Sequence, residues 1–170
     1  MQQKGFSLIE LVVTIVVLMA VSTIAIPAFQ SSIGNAQIRT VSESIRDGLQ
    51  LARAEAIKRN ARVKFTLQST SAWQIGCVTP TASCPAAISQ KSASEGSSGN
   101  INVTADNYTA VFSGFGTRDP ASPVGLTSVN ITNTQVSSSD LKALRVTLAA
   151  GGNVKVCDPT VAISGDPRAC

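Results

Sequence analysis

The sequence contains no histidine, few aromatic residues and few charges. The absence of histidine excludes Ser-His and Cys-His catalysis and most zinc sites. The aromatic residues are five Phe, one Trp and one Tyr, so a hydrophobic core must be built mainly from aliphatic side chains. Because no other motif points to a reaction, we expect no metal ion, no organic cofactor and no enzymatic activity.

Two aspartates stand outside any recognisable motif, and both lie next to residues that favour turns. Asp106 precedes Asn107, and Asp119 lies between Arg118 and Pro120. Aspartate is common in turns because its side chain accepts hydrogen bonds from nearby backbone N–H groups. We therefore interpret both as turn residues, with a local salt bridge between Arg118 and Asp119.

The positive charge is concentrated in one short segment. Residues 53–64 contain five Lys or Arg and one Glu, a net charge of +4, which equals that of the whole chain. Such a run is typical of a solvated helix end, where cations suit the negative end of the helix dipole. The alternative is a surface that meets acidic partners or nucleic acid.

Residues 1–29 join a short basic leader to a long apolar run. Between Leu11 and Phe29 there is no charged residue, and a helix of about 20 apolar residues spans a bilayer. Glu10 interrupts the apolar character near its start, and an acid in such a segment marks a functional site. A secretory signal peptide would have a shorter apolar core, and an ordinary membrane anchor leaves Glu10 unexplained.

The six residues Gly5-Phe6-Ser7-Leu8-Ile9-Glu10 resemble the processing site of type IV pilins and pseudopilins. The resemblance implies that a prepilin peptidase cuts between Gly5 and Phe6 and that Phe6 becomes the N-methylated first residue. Glu10 matches the family's acidic position, which is thought to pair with the N-terminal amine of a neighbouring subunit. Opposite charges attract strongly in low-dielectric surroundings, which agrees with that role.

The same resemblance implies a location and a set of partners. We expect a single-pass protein of the bacterial inner membrane with a periplasmic C-terminal domain, which later becomes part of a pilus at the cell surface. The expected partners are other minor and major pilins, the prepilin peptidase, the inner-membrane assembly platform and the lipid bilayer. In one alternative, DNA is a further partner.

An apolar stripe continues the helix beyond the apolar run, to about Lys58 or Asn60. Its members recur at spacings of three and four, as on one face of a helix: Ile38, Val41, Ile45, Leu49, Ala52 and Ala56. Pro27 lies at the junction and is expected to kink or locally unwind the helix. Gly34 and Asn35 form a second expected weak point. In type IV pilins, which this layout resembles, the proline lies where the helix can unwind in the assembled filament.

Short alternating segments after Asn60 predict strands. The candidates are residues 62–67, 73–78, 101–105, 110–115, 126–132, 143–148 and 153–157, with a loop at 79–100 and a hairpin turn at 149–152. The predicted fold class is α+β, a long N-terminal helix packed on a C-terminal antiparallel β domain of about seven short strands. We expect a leader at 1–5, a transmembrane and assembly helix at 6–29, an amphipathic helix at 30–60 and a β domain at 61–170.

The four cysteines predict disulfide bonds, because an even number in an exported domain favours them. Four cysteines allow three connectivities. We expect Cys77–Cys84 and Cys157–Cys170, since each closes a local loop that contains proline.

Two further segments are similar to a subgroup of the family, the H-type pseudopilins and the FimT/FimU minor pilins. They are the helix end at 49–60 and the final hairpin strand at 152–157. The leading expectation is a minor pilin that primes, or is incorporated into, a type IV pilus. An H-type pseudopilin of type II secretion is one alternative.

The other alternative is a DNA-binding minor pilin that serves DNA uptake. In FimT-type relatives, a C-terminal Gly-Arg-x-Arg-like motif near a cysteine is linked to DNA binding. Here Arg168 fits the second arginine, but Asp166 replaces the first with a negative charge. The DNA-binding candidates are Arg168, Lys155, Arg59 and Arg62.

Overall fold

The computed structural model describes residues 7–68, 71–93, 95, 99–122, 125–163 and 165–170. Within them it contains one helix and eight strands. These are α1 (Leu8–Arg59), β1 (Val63–Leu67), β2 (Trp73–Cys77), β3 (Ser89–Lys91), β4 (Ile101–Ala105), β5 (Thr109–Phe112), β6 (Ser128–Asn133), β7 (Leu144–Leu148) and β8 (Val154–Cys157). The predicted α+β class, with one long helix on an antiparallel β domain, is confirmed.

Helix α1 is continuous over 52 residues, and no unwinding occurs at Pro27. The predicted local melting at this proline is therefore absent from the structure. The helix ends at Asn60, which adopts a left-handed conformation with φ 46°. Its backbone N–H donates to the carbonyls of Ala56 and Ile57, and asparagine tolerates this conformation better than most residues.

The predicted apolar stripe of α1 is fully buried. Its six members, Ile38, Val41, Ile45, Leu49, Ala52 and Ala56, are each 0 % exposed. They pack on strands of both sheets, because α1 contacts β1, β2 and β5 on one side and β6, β7 and β8 on the other. One helix face thus supplies the centre of the core.

The strands form two four-stranded sheets. The first has the order β3-β2-β1-β5 and the second β4-β6-β7-β8, and every described pair within them is antiparallel. In the first sheet Phe65 lies opposite Ile75 and Ala110. In the second, Val146 lies opposite Val129 and Val156. Strand β3 is additional to the seven predicted strands and lies inside the predicted loop. It was not predicted because its sequence, Ser-Gln-Lys, shows no alternation of apolar and polar residues.

Gly34 and Asn35, expected to be a weak point, are where α1 is fastened to the β domain. Asn35 donates from Nδ2 to the carbonyl of Asp140 over 2.8 Å and accepts from the backbone N–H of Lys142 over 2.9 Å. A side chain at Gly34 would overlap Val136, so only glycine allows this close approach. These contacts fix the direction of α1 relative to the second sheet.

The first half of α1 carries many large apolar side chains that are exposed in the described part of the chain. Those at least 42 % exposed are Leu8, Ile9, Leu11, Val12, Val13, Ile15, Val16, Val17, Leu18, Met19, Val21, Ile26, Phe29 and Ile33. The sequence predicts a membrane-spanning helix at residues 6–29, of which the structure describes residues 7–29. Within the described residues, no helix reaches the combination of length and mean hydropathy that crossing a membrane requires.

Candidate functional site

The predicted processing site lies outside the described residues, because both Gly5 and Phe6 precede Ser7. The description begins with Ser7, the N-cap of α1, whose carbonyl accepts from the backbone N–H groups of Glu10 and Leu11 over 3.1 and 3.2 Å. Cleavage between Gly5 and Phe6 and methylation of Phe6 remain predictions.

Glu10 lies in the first turn of α1 and is exposed. Its carboxylate has no hydrogen-bond or ion-pair partner among the described residues. A negative charge suits the N-terminal end of a helix, where the dipole is positive. The carboxylate is therefore placed beside an apolar helical surface, and no described residue of the chain uses its hydrogen-bonding capacity.

The C-terminal tail pairs the most prominent DNA-binding candidate with an acid. The guanidinium of Arg168 lies 2.8 Å from the Asp166 carboxylate and lowers the pKa of that carboxyl to about 2. Lys155 donates to the carbonyl of Ala169 over 2.7 Å. The negative charge of Asp158 also acts on Arg168. The charges of Arg168 and Lys155 are thus balanced by those of Asp166 and Asp158, and the net charge of the tail is close to zero.

The other two DNA-binding candidates are also neutralised. Arg59 lies 2.7 Å from Glu55, and its hydrogen bond is the main reason why the pKa of Glu55 is lowered. Arg62 forms an ion pair with Asp119, whose side chain is 7 % exposed. The predicted salt bridge between Arg118 and Asp119 is wrong, because the fold brings Arg62, 57 residues away, to this carboxylate.

Asp106 and Asp119 are turn residues, as expected, but each also ties together distant segments. Asp106 accepts from the backbone N–H groups of Thr127 and Ser128 over 3.0 and 3.1 Å. Burial opposes its ionisation, but these hydrogen bonds and the one from the Thr127 hydroxyl together lower its pKa. The residue joins the turn after β4 to the start of β6.

The structure joins Cys77 to Cys84 and Cys157 to Cys170, the same two pairs chosen from the sequence. The second bond ties the chain end to β8. There the backbone N–H of Asp158 donates to the carbonyl of Arg168 over 2.7 Å. Among the described residues, no group of three or more Cys, Asp or Glu is arranged to hold a metal ion.

Sequence reasoning missed one surface. Arg53 lies among the cations of residues 53–64, but the described carboxylates leave it without an ion pair. It adjoins the turn that carries Phe115, whose side chain is 89 % exposed. The sequence signal is the Gly-Phe-Gly order at 114–116, which lies at the end of the strand predicted at 110–115.

Known proteins resemble the chain in both the helix and the β domain. The prokaryotic N-terminal methylation motif matches residues 1–26. Together with the exposed Glu10 at the start of the long helix, this motif match places the chain in the class of pilin-like subunits. The chain belongs to the family described as type II transport protein GspH, whose family model matches residues 41–152.

The fold is similar to that of the type IV minor pilin FimU from Pseudomonas aeruginosa, strain PAO1, in two crystal forms. One has a TM-score of 0.54 and 15% sequence identity, covering 75% of this chain and 92% of that chain. The other has a TM-score of 0.51 and 15% identity, covering 74% and 97%. No curated protein matches the chain at a significant level. The predicted type IV pilin-like class is confirmed.

Proposed function

We propose that this chain is a minor pilin, a structural subunit that primes assembly of, or is incorporated into, a type IV pilus. The observation that carries the proposal is Glu10, a carboxylate without a described partner at the start of a helix whose first half exposes apolar side chains. The methylation motif and the minor-pilin fold support it. The family consists of structural subunits, which supports a role without catalysis.

In this proposal, cleavage between Gly5 and Phe6 at the inner membrane frees a charged amine. Glu10 of one subunit then pairs with the amine of a neighbour and sets the axial register between them. This pairing is favourable because neither charge is well solvated in apolar surroundings. The prepilin peptidase, the assembly platform and the lipid bilayer are the proposed partners before assembly.

The apolar half of α1 would then pack against the equivalent helices of other minor and major pilins. Burying apolar helix surface contributes about 25 cal/mol per Å² before the entropic costs of association. The contacts of Gly34 and Asn35 hold the β domain at a fixed angle to that helix. Pro27, at the junction, is proposed as the place where the helix unwinds in the filament, although α1 is continuous there in the isolated chain.

A second candidate function is that of an H-type pseudopilin in type II secretion. The observation that favours it is the family match itself, since the family is described as type II transport protein GspH. The anchor and the fold would serve either machine, so the two functions differ in their partner subunits rather than in the geometry of this chain.

Deletion of the gene, with pilus number, protein secretion and DNA uptake measured in the same strain, separates these functions. The proposal predicts loss of pili and their restoration by the wild-type gene. Failure of secretion with normal pili would contradict it and support the second candidate. Loss of DNA uptake with normal pili would instead support the DNA-binding alternative.

A further inference from the structure

A cleft of about 440 Å³ lies between the distal part of α1 and the turn that joins β7 to β8. Arg53 and Ile57 form its helical wall, and Gly152 and Asn153 form the opposite wall. This surface is separate from Glu10 and from the exposed apolar half of the helix. It therefore plays no part in the helix packing proposed above.

Two glycines lie close to the guanidinium of Arg53. Gly116 and Gly152 have φ angles of 75° and 81°, and a Cβ atom at either position would lie 3.2 Å from Nε of Arg53. Both positions are strained for other residues, so the close approach depends on glycine. The guanidinium is thus confined by backbone on two sides rather than by flexible side chains.

The charge of Arg53 is left uncompensated by the described residues. Its Nε is buried and has no hydrogen-bond partner, and Nη1 donates to Oδ1 of Asn153 over a long 3.4 Å. The other three arginines of α1 each have a carboxylate partner: Arg39 has Glu43, Arg46 has Asp47 and Arg59 has Glu55. A confined cation without an anion favours an acceptor supplied by another molecule.

Two exposed apolar side chains belong to the segments that form or border the cleft: Ile57 lines it, and Phe115 precedes Gly116, the glycine that approaches Arg53. Phe115 is 89 % exposed and Ile57 is 50 % exposed, whereas most large apolar residues of the β domain are buried. Phe115 is presented by a tight turn, in which the N–H of Ser113 donates to the carbonyl of Thr117 and the N–H of Gly116 to that of Ser113, each over 2.9 Å. Exposed aromatic and arginine side chains on neighbouring segments match the composition that interface centres favour.

We propose that this cleft binds an acidic segment of a neighbouring, different subunit of the filament, with a carboxylate on Arg53 and an apolar side chain on Phe115 and Ile57. The inference rests on the proposed function and identifies the chemistry of one partner. No carboxylate is among the residues that line the cleft. A symmetric contact between two copies would therefore place Arg53 against another cation.

Nucleic acid is disfavoured at the same surface. Binding to a phosphate backbone depends on several cations acting together. Here the neighbouring cations Arg59 and Arg62 are neutralised by Glu55 and Asp119. Arg53 is the one cation among the residues that line the cleft, so the cleft offers a single phosphate contact, and Ile57 beside it suits a protein segment better.

Photocrosslinking in cells tests the proposal on the full-length chain. A benzoylphenylalanine placed at Gly151 meets no heavy atom within 4 Å at its Cβ position, so the probe stands beside the cleft without disturbing it. We expect an adduct with an acidic segment of another pilin-like subunit. Arg53→Glu should lower the adduct yield by at least about tenfold, because like charges then meet at the interface. A Glu→Lys or Asp→Lys change in the crosslinked segment should restore the yield.

Two further variants keep the result interpretable. Phe115→Ser changes an exposed side chain, leaves the fold intact and should also lower the yield. Arg46→Glu changes an arginine of α1 that is paired with Asp47 and should leave the yield unchanged. The proposal is overturned if Arg53→Glu and Phe115→Ser both give the wild-type yield, if the main adduct joins two copies of this chain, or if the adduct is sensitive to nuclease. Pilus number in the deletion strain tests the proposed function separately, so a negative crosslink where pili still require the chain rejects this surface alone.

Discussion

The Arg168 guanidinium donates two hydrogen bonds to the Asp166 carboxylate. Nη2 lies 2.8 Å from Oδ2, and Nε lies 3.1 Å from Oδ1. The pair uses the guanidinium face that would otherwise bind a phosphate. Because the pKa of Asp166 is about 2, its carboxylate is ionised at neutral pH. The tail that most resembles a DNA-binding motif thus carries its own counter-charge.

We predict that Arg168 makes no contact with DNA. The double change Arg168→Gln with Asp166→Asn removes the pair and leaves the net charge unaltered. The affinity of the full-length protein for duplex DNA and its salt dependence should stay as in the wild type. A phosphate contact by Arg168 would show itself as a decrease of about one in the slope of log affinity against log salt, and that result would contradict the prediction.

We predict that the space beside Gly48 is too small for a larger residue. A Cβ atom there would lie 2.9 Å from Cε2 of Phe65 and 3.0 Å from Cε2 of Trp73. The two rings are packed with their centroids 5.9 Å apart, and the Trp73 indole N–H donates to the Ser44 hydroxyl over 3.1 Å. Gly48→Val should lower the free energy of unfolding by about 1–3 kcal/mol, as overpacking does. Chemical denaturation of the purified chain measures it.

The matched control is Gly151→Val, since a Cβ at Gly151 meets nothing within 4 Å. Its free energy of unfolding should remain within about 0.5 kcal/mol of the wild-type value. Equal losses in the two variants would mean that contact with Phe65 and Trp73 is not the cause.

We predict a pH-dependent contribution from Asp106. Its pKa in the folded chain lies below the ordinary value of 3.8. The ionised carboxylate therefore stabilises the fold above about pH 4, and this stabilisation is lost as the pH falls through the folded-state pKa. Asp106→Ala should lower the free energy of unfolding by about 1–2 kcal/mol at pH 7.

The difference between the wild type and Asp106→Ala should shrink as the pH falls from 5 to 2. Asp47→Ala is the control, because its ion pair with Arg46 is exposed and contributes about 0–1 kcal/mol. A difference that stays constant over this pH range would show that the charge of Asp106 is not responsible.

We predict that Glu10→Gln blocks assembly while leaving processing intact. The amide keeps the size of the side chain but cannot form an ion pair with a neighbour's amine. Pilus number should fall to the level of the deletion strain, and the mature chain should still be found in the membrane. Glu43→Gln, which changes an exposed carboxylate paired with Arg39, should leave pilus number normal. Normal pili in Glu10→Gln would remove the proposed role of this acid.

The parts of the fold that follow from local pattern could be predicted. The spacing of Ile38, Val41 and Ile45 predicted a buried helix face, and the alternation from Val63 to Leu67 predicted a strand. The turn at 149–152 follows from its glycines, and Gly152 indeed has a positive φ. These signals depend only on residues close in sequence.

What could not be predicted depends on contacts between distant segments. The strand β3 exists because Gln90 and Ser89 pair with Gln74 and Ile75, not because of its own pattern. Asp119 binds Arg62 rather than its neighbour Arg118, since the fold brings β1 beside the turn after β5. The Arg53 cleft forms because Gly116 and Gly152 lie against one turn of α1, although both are distant from it in sequence.

Mass spectrometry of the protein from sheared pili tests the central claim most directly. The account predicts that the chain is present in that fraction, begins at N-methylated Phe6 and has lost the first five of its 170 residues. A chain that begins at Met1, or one that is confined to the cell membrane and missing from the filaments, would contradict it.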